Sequence, residues 1–150
     1  MRDGGALDRV LRHEYTHALV HDRTRGRAPT WLSEGLAIAC EGRDTDNERQ
    51  IVQSSDHLIP IRELHGSFLT LPRTEVPLAY AESAAAVEYL LRRHGAPAMR
   101  ALLARLGEAG DFAAAFHNAT GTTYTKFQAD WLRQLVGAGG ASAGPSPAGN

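Results

Sequence analysis

The residues best suited to chemistry lie in the run His13-Glu14-Tyr15-Thr16-His17. Residues four apart on an α-helix lie one turn apart and differ by about 40° around the axis, so both imidazoles can face one cation. Zinc accepts imidazole nitrogen and, in catalytic sites, keeps one coordination position free for water. Glu14 flanks the same face, where its carboxylate can accept a proton from water without binding the metal. The run therefore predicts zinc-dependent hydrolysis.

A catalytic zinc site needs a third protein ligand, and the helix after the first can supply it. Sixteen residues separate His17 from Glu34, which is enough for a second helix to fold back beside the first. Glu34 is therefore the predicted third ligand. Other candidates stay open at this point: Glu41, Asp44, Asp46, His57 and His65. The longer zinc-binding motif HExxHxxGxxH, which supplies its third ligand from a histidine, is absent. Val20 and Arg23 occupy its Gly and His positions.

The elements that must position these residues are predicted to be α-helices. Glycines, prolines and capping residues divide the chain, and no segment shows the period-2 alternation of a strand. The expected helical segments run from about Leu7 to Val20, from a cap at Thr30 to Gly42, from about Ala79 to His94 before Gly95, from about Pro97 onward, from Asp111 to about Asn118, and from about Thr122 to Val136. Residues 44–57 are predicted as helix or loop, and residues 60–65 as a short helical turn.

Apolar stripes on two of these helices predict which sides face the core. On the first helix the stripe consists of Leu7, Leu11 and Ala18, next to the arc that carries the histidines. On the last helix it consists of Tyr124, Phe127, Trp131 and Leu135. Residues 137–150 are rich in Gly, Ala, Ser and Pro without periodicity, and we expect them to form a disordered tail.

Composition excludes several classes of partner. The 16 basic and 17 acidic residues are interspersed, so no basic patch is available for nucleic acid or anionic lipid. No membrane segment or signal peptide is recognisable, and we expect a soluble chain that is cytoplasmic by default. Cys40 is the single cysteine, which rules out an intrachain disulfide and predicts a small buried side chain. The expected partner is a peptide or protein substrate, and the sequence predicts no oligomeric state.

Three blocks, in order, resemble the gluzincin metallopeptidases and, among them, the peptidase MA-like domains: LRHEYTHALVH, APTWLSEGLAIACEG and AYAESAAAVEYLLRRHG. The resemblance extends over roughly residues 7–136. It implies a mainly α, zincin-like helical core and one zinc ion. It further implies that the two histidines and the glutamate of the second block bind the zinc, while the glutamate inside HExxH is the general base. By position these residues are His13, His17, Glu34 and Glu14.

Two features depart from the gluzincin pattern. Ile38 stands four positions after Glu34, where many gluzincins carry an acidic residue that supports a ligand. Another residue must orient the imidazoles, or none does. Zincin folds also usually begin with a β-sheet upstream of the HExxH helix, whereas 12 residues precede His13 here. We therefore expect a domain over residues 1–136 with little or none of that sheet, either truncated at its N-terminus or with an incomplete substrate cleft.

In the predicted mechanism, Glu14 deprotonates the attacking water and then protonates the leaving amine. Tyr80, at the start of the third block, is the predicted donor to the developing oxyanion. His57 and His65 are alternatives for that role, and His21 can support the site. Two other functions stay open, a zinc-binding scaffold without catalysis and a helical interaction module without metal. The presence of Glu14 favours catalysis, because a structural zinc site needs no acid between its histidines.

Overall fold

The computed structural model describes residues 4–108 and 110–140, and this part of the chain contains helices and no β-strand. The helices are α1 (Gly4–Thr24), α2 (Thr30–Cys40), α3 (Asp46–Ser54), α4 (Val76–Glu108), α5 (Phe112–Thr120) and α6 (Tyr124–Gly140). Two short 3₁₀ turns, Glu63–His65 and Phe68–Thr70, lie between α3 and α4. The predicted mainly α fold is confirmed. Within the described ranges, no helix combines the length and the apolar character needed to cross a bilayer.

Helix α4 is the scaffold against which α1, α2, α3 and α5 pack. It is interrupted at Gly95, whose φ of 80° and ψ of 168° lie outside the helical region. A positive φ of this kind suits glycine, which has no Cβ. Pro97 then lies in the first turn of the second half, where a missing N–H costs no helical hydrogen bond. The predicted helix break at Gly95 is confirmed.

Two glycines allow α1 and α2 to approach α4 closely. A Cβ added to Gly35 of α2 would overlap the carbonyl oxygen of Ser83 in α4. A Cβ added to Gly107 of α4 would overlap the carbonyl oxygen of Arg23 in α1. Neither crossing can therefore accept a larger residue without moving a backbone.

An aromatic cluster joins α2 to the last two helices. Trp31 of α2 is fully buried and stacks on Tyr124, with an angle of 8° between the ring planes. Phe112, the first residue of α5, meets the same indole edge-on. The predicted core stripe of α6 is confirmed, since Phe127 and Trp131 are also buried and Leu135 is half-buried. Asp111 caps α5 as predicted, because its carboxylate accepts a hydrogen bond from the amide of Ala114 at 3.1 Å.

The predicted core side of α1 is wrong. The side chains expected to face the core are exposed: Leu7, Leu11 and Ala18. Among the described residues of α1, the buried side chains are Thr16, Val20 and Thr24. The two threonine hydroxyls donate to the carbonyl oxygens of Arg12 and Val20, so their burial leaves no hydroxyl proton unpaired. The core therefore contacts the side of α1 that carries the two histidines.

Three smaller expectations also need correction. Thr30 does not cap α2, because it is already helical and the cap position is taken by Pro29. Cys40 is exposed, since it lies at the end of α2 where the helix leaves the core. The last helix continues to Gly140, four residues beyond the predicted end. The rest of the predicted tail, residues 141–150, lies outside the described residues.

Candidate metal centre

Two helices bring the predicted metal ligands together. His13 and His17 lie one turn apart on α1, and their Nε2 atoms are 3.0 Å from each other. Glu34 on α2 places its Oε2 atom 3.3 Å from Nε2 of His17 and 3.6 Å from Nε2 of His13. All three side chains are partly buried. Among the described residues, they form the one group of three whose histidine, cysteine or carboxylate atoms converge as metal ligands can.

The spacing of these three atoms fits a zinc ion. In a tetrahedral site with bonds of about 2.0–2.1 Å, the ligand atoms lie roughly 3.3 Å from one another. The three observed distances, 3.0, 3.3 and 3.6 Å, fall on both sides of that value. Two imidazole nitrogens and one carboxylate oxygen also make up a known ligand set of catalytic zinc, which leaves the fourth position free.

The other ring nitrogen of each histidine has its own partner. Nδ1 of His13 lies 2.8 Å from Oε1 of Glu41, and Nδ1 of His17 lies 2.8 Å from the hydroxyl of Ser33. A carboxylate can only accept, so His13 donates its Nδ1 proton to Glu41. Nε2 of His13 then carries a lone pair for a metal. Such partners fix both the tautomer and the ring orientation of a ligand histidine.

Glu41 takes the supporting role that Ile38 cannot. Ile38 is buried, and its apolar side chain cannot accept a hydrogen bond from a histidine. Glu41 comes seven residues after Glu34, which is about two helical turns, so both carboxylates lie on one side of α2. Glu41 was one of the alternative ligands predicted from the sequence. Helical periodicity could have identified it as the partner of His13, since that face was already assigned to Glu34.

Two further charged residues complete the surroundings of Glu41. Arg43 bonds to the second oxygen of Glu41 and to both oxygens of Glu48 on α3. The Arg43 guanidinium lowers the pKa of Glu48, and the two carboxylates raise the pKa of Arg43, with Glu48 the larger cause. Neither residue was predicted from the sequence, because their contact depends on the path of the loop between α2 and α3.

Comparison with known proteins assigns a family to this fold and cluster. A family model described as the Peptidase MA superfamily matches residues 5–137. The chain belongs to this superfamily. The match spans nearly all of the six helices and includes all three residues of the cluster. Members of the Peptidase MA superfamily usually bind zinc. No curated protein and no solved structure matches the chain.

The two predicted catalytic residues of this Peptidase MA domain differ in their surroundings. Glu14 is exposed, next in sequence to His13. Tyr80, near the start of α4, is 37% exposed and meets the ring of Phe68 edge-on, with 5.2 Å between ring centroids. Burial and the negative charge of Glu34 both raise the pKa of Tyr80, burial being the larger cause. The hydroxyl of Tyr80 is therefore protonated at neutral pH.

The remaining candidate ligands of the Peptidase MA domain lie apart from the cluster. His57 pairs with Glu75, and Asp46 pairs with Arg49. His65 lies within 3.0 Å of the Tyr124 hydroxyl, and burial lowers its pKa.

Two more candidates have local roles. Asp44 accepts a hydrogen bond from the amide of Asp46 just before α3. His21, which the sequence suggested as support for the site, is exposed, and its ring lies beside Gly26 in the turn after α1. The structure thus brings together His13, His17 and Glu34. Of the alternative ligands, Glu41 contacts His13 from outside this cluster, and the others have partners elsewhere.

Proposed function

We propose that this protein is a zinc-dependent metallopeptidase that hydrolyses peptide bonds. The observation that carries the proposal is the cluster of His13, His17 and Glu34, in which both histidine Nδ1 atoms are engaged elsewhere and both Nε2 atoms point at one position. A zinc ion held by these three residues would keep its fourth position for water or substrate. Membership of the Peptidase MA superfamily supports the same reaction class.

Each residue of the site has a role in the proposed reaction. When bound, zinc lowers the pKa of water toward neutrality and polarises the carbonyl oxygen of the substrate. Glu14 accepts the proton as the water attacks the peptide carbonyl, and it returns that proton to the nitrogen of the leaving amine. The exposed position of Glu14 leaves its carboxylate accessible to both the water and the amine.

Tyr80 is the proposed donor to the oxyanion that develops on the substrate carbonyl. Its hydroxyl carries a proton at neutral pH, since the pKa is raised above its usual value. Removal of one oxyanion donor typically lowers kcat about 10²- to 10³-fold. The Tyr80→Phe substitution should therefore lower kcat by about 10²-fold and leave KM and zinc content nearly unchanged. A purely packing role for Tyr80 would leave kcat unchanged in this variant, since the phenyl ring is retained.

Two measurements test the proposed function. The purified protein should contain one zinc ion per chain and should cleave members of a peptide library, and a chelator should stop the cleavage. Glu34→Ala should lose most of the zinc because it removes one of three ligands. Glu63→Ala, which removes an exposed carboxylate from a 3₁₀ turn, is the matched control and should keep the zinc.

Full zinc content in Glu34→Ala would refute the ligand assignment. Cleavage that persists in the presence of the chelator and after complete metal removal would refute the metallopeptidase mechanism.

The exposed surface of α1 favours a second candidate, a zinc-binding module that contacts another protein and does not catalyse. Four large side chains form an exposed row along this helix: Leu7, Leu11, Tyr15 and Leu19. An apolar row of this kind is typical of a contact surface. The library assay separates the two candidates, because a module without catalysis would contain zinc and cleave no peptide.

A further inference from the structure

We propose that Arg43 and Glu48 are positioning residues for the metal centre, and that they hold the Glu41 carboxylate in the orientation in which it binds His13. The inference rests on the proposed zinc function, since it concerns the affinity of the same site. It assigns to α3, which supplies no ligand, a role in preparing the ligand His13 on α1.

The contacts form a continuous chain from the ligand to α3. Oε1 of Glu41 lies 2.8 Å from Nδ1 of His13, and Oε2 of the same carboxylate binds Nε of Arg43. The two Nη atoms of Arg43 donate to the two oxygens of Glu48, one of them at 3.0 Å. Both oxygens of Glu41 are therefore engaged, and a rotation of the carboxylate would break one of two charge-assisted hydrogen bonds.

The burial of these groups makes Arg43 necessary for the arrangement. The side chain of Glu41 is 14% exposed and that of Glu48 is 11% exposed. Loss of the guanidinium would leave two largely buried carboxylates without their shared cation, close to the third carboxylate of Glu34. A buried charge without a partner is strongly unfavourable, so Glu41 would turn toward solvent and lose His13.

The backbone between α2 and α3 brings Arg43 back toward Glu41. Gly42 has a φ of 71°, in the left-handed region that favours glycine, and it reverses the chain immediately after α2. Arg43 can therefore bond to a side chain only two residues earlier, and it also donates to the carbonyl oxygen of Asp44 at 3.0 Å. These contacts hold the guanidinium at the point where α2 and α3 meet.

Zinc affinity is the first test. Competition against a chromogenic chelator should show that Arg43→Gln weakens zinc binding by about tenfold, at the lower end of the effect of removing residues that orient a ligand. Glu48→Gln should weaken it by roughly threefold, since Arg43 keeps its bond to Glu41. Arg43→Lys should recover part of the affinity, because it keeps the charge without the bidentate geometry.

Arg49→Gln is the matched control. Arg49 lies on α3 and pairs with Asp46 and Glu88, outside the chain of contacts to His13. This variant should bind zinc as the unchanged protein does. A tenfold loss in Arg49→Gln, equal to that in Arg43→Gln, would overturn the inference, because it would indicate a general effect of α3.

A readout without metal separates the inference from the proposed function. In the metal-free protein at about pH 8, where ordinary histidines are neutral, nitrogen NMR should show His13 in the Nδ1–H tautomer. Arg43→Gln should shift His13 toward a mixture of tautomers and leave His17, which binds Ser33, unchanged. Unchanged zinc affinity and an unchanged His13 tautomer in both Arg43→Gln and Glu48→Gln would overturn the inference. If neither the unchanged protein nor any variant binds zinc, the proposed zinc function is refuted. If Arg43→Gln nevertheless shifts the His13 tautomer, the role of Arg43 in orienting Glu41 and His13 stands.

Discussion

Helices α1 and α2 each supply part of the metal cluster, but they are held in the molecule in different ways. Six residues of α2 are buried: Trp31, Leu32, Gly35, Leu36, Ala37 and Ile38. In α1, the described buried side chains form one narrow row, and the opposite surface carries exposed leucines. The core therefore fixes Glu34, whereas the positions of the two histidines depend more on local contacts such as the bond between His13 and Glu41.

This difference indicates a division of labour between packing and polar contacts. The burial of α2 against α4 and the aromatic cluster provides the free energy that holds this helix in position. We therefore expect the position of α2 not to depend on a bound metal. Helix α1 gains less from burial, so the partners of the histidine Nδ1 atoms contribute more to the preparation of the site. Matched substitutions in the two helices can measure the difference.

The largest expected difference is between Leu32→Ala in α2 and Leu11→Ala in α1. Leu32 is fully buried, so its truncation should lower the free energy of unfolding by about 3 kcal/mol. Leu11 is 58% exposed, and its truncation should change the free energy by less than about 0.5 kcal/mol. Chemical denaturation in the presence of a chelator, which holds the metal content constant, measures both values. Equal losses in the two variants would contradict the division between the helices.

A second test uses pH and the carboxyl group of Glu82 in α4, the helix against which α2 packs. Glu82 is fully buried, one of its oxygens accepts the amide of Ile59 at 2.8 Å, and the other has no partner within the described structure. Burial raises the pKa of Glu82 from 4.5 to about 7, and the charge of Glu75 adds to the rise.

The raised pKa means that the folded protein holds the Glu82 proton more tightly than the unfolded chain does. The stability associated with the protonated form is therefore present below about pH 4.5 and is lost as the pH rises to about 7. The expected loss is of order 3 kcal/mol. Glu82→Gln keeps an acceptor for Ile59 and should remove this pH dependence. Chemical denaturation at several pH values measures the free energy of unfolding of the unchanged protein and of Glu82→Gln. If both show the same dependence on pH between 4.5 and 7, the raised pKa of Glu82 is contradicted.

A smaller effect is expected where α2 crosses α4. Gly35→Ala adds a methyl group against the Ser83 carbonyl and the Val87 side chain, and it should lower the free energy of unfolding by about 2 kcal/mol. Gly5→Ala in α1 is the matched control, because a Cβ there has no neighbour within 4 Å. That variant should gain about 0.5 kcal/mol from its higher helix propensity. A neutral Gly35→Ala would show that the close approach does not constrain α2.

The parts of the structure that could be predicted from the sequence depend on local spacing. His13 and His17 share a face because they are four residues apart, and Gly95 ends a helix because of its conformational freedom. The pairing of Glu34 with the two histidines required only that α2 fold back beside α1. These expectations concern neighbouring elements, for which short-range geometry is informative.

The parts that could not be predicted depend on which surfaces meet. The stripe of Leu7 and Leu11 was an apolar surface, but periodicity does not reveal whether anything covers it. Cys40 was expected inside for its chemical character, yet it lies at an exposed helix end. The contact of Arg43 with Glu48 arises from a loop whose path the sequence pattern did not specify. The roles of the predicted site residues stay predictions until the variants are measured.

The Glu14→Gln substitution separates metal binding from catalysis within one turn of α1. Glutamine keeps the size of the side chain but cannot accept and return a proton at neutral pH. We expect this variant to retain one zinc ion per chain and to lose peptide cleavage by about 10³-fold or more. Metal analysis and peptide cleavage, measured on the same preparation, are the readouts. Undiminished cleavage by zinc-loaded Glu14→Gln protein would contradict the proposed mechanism.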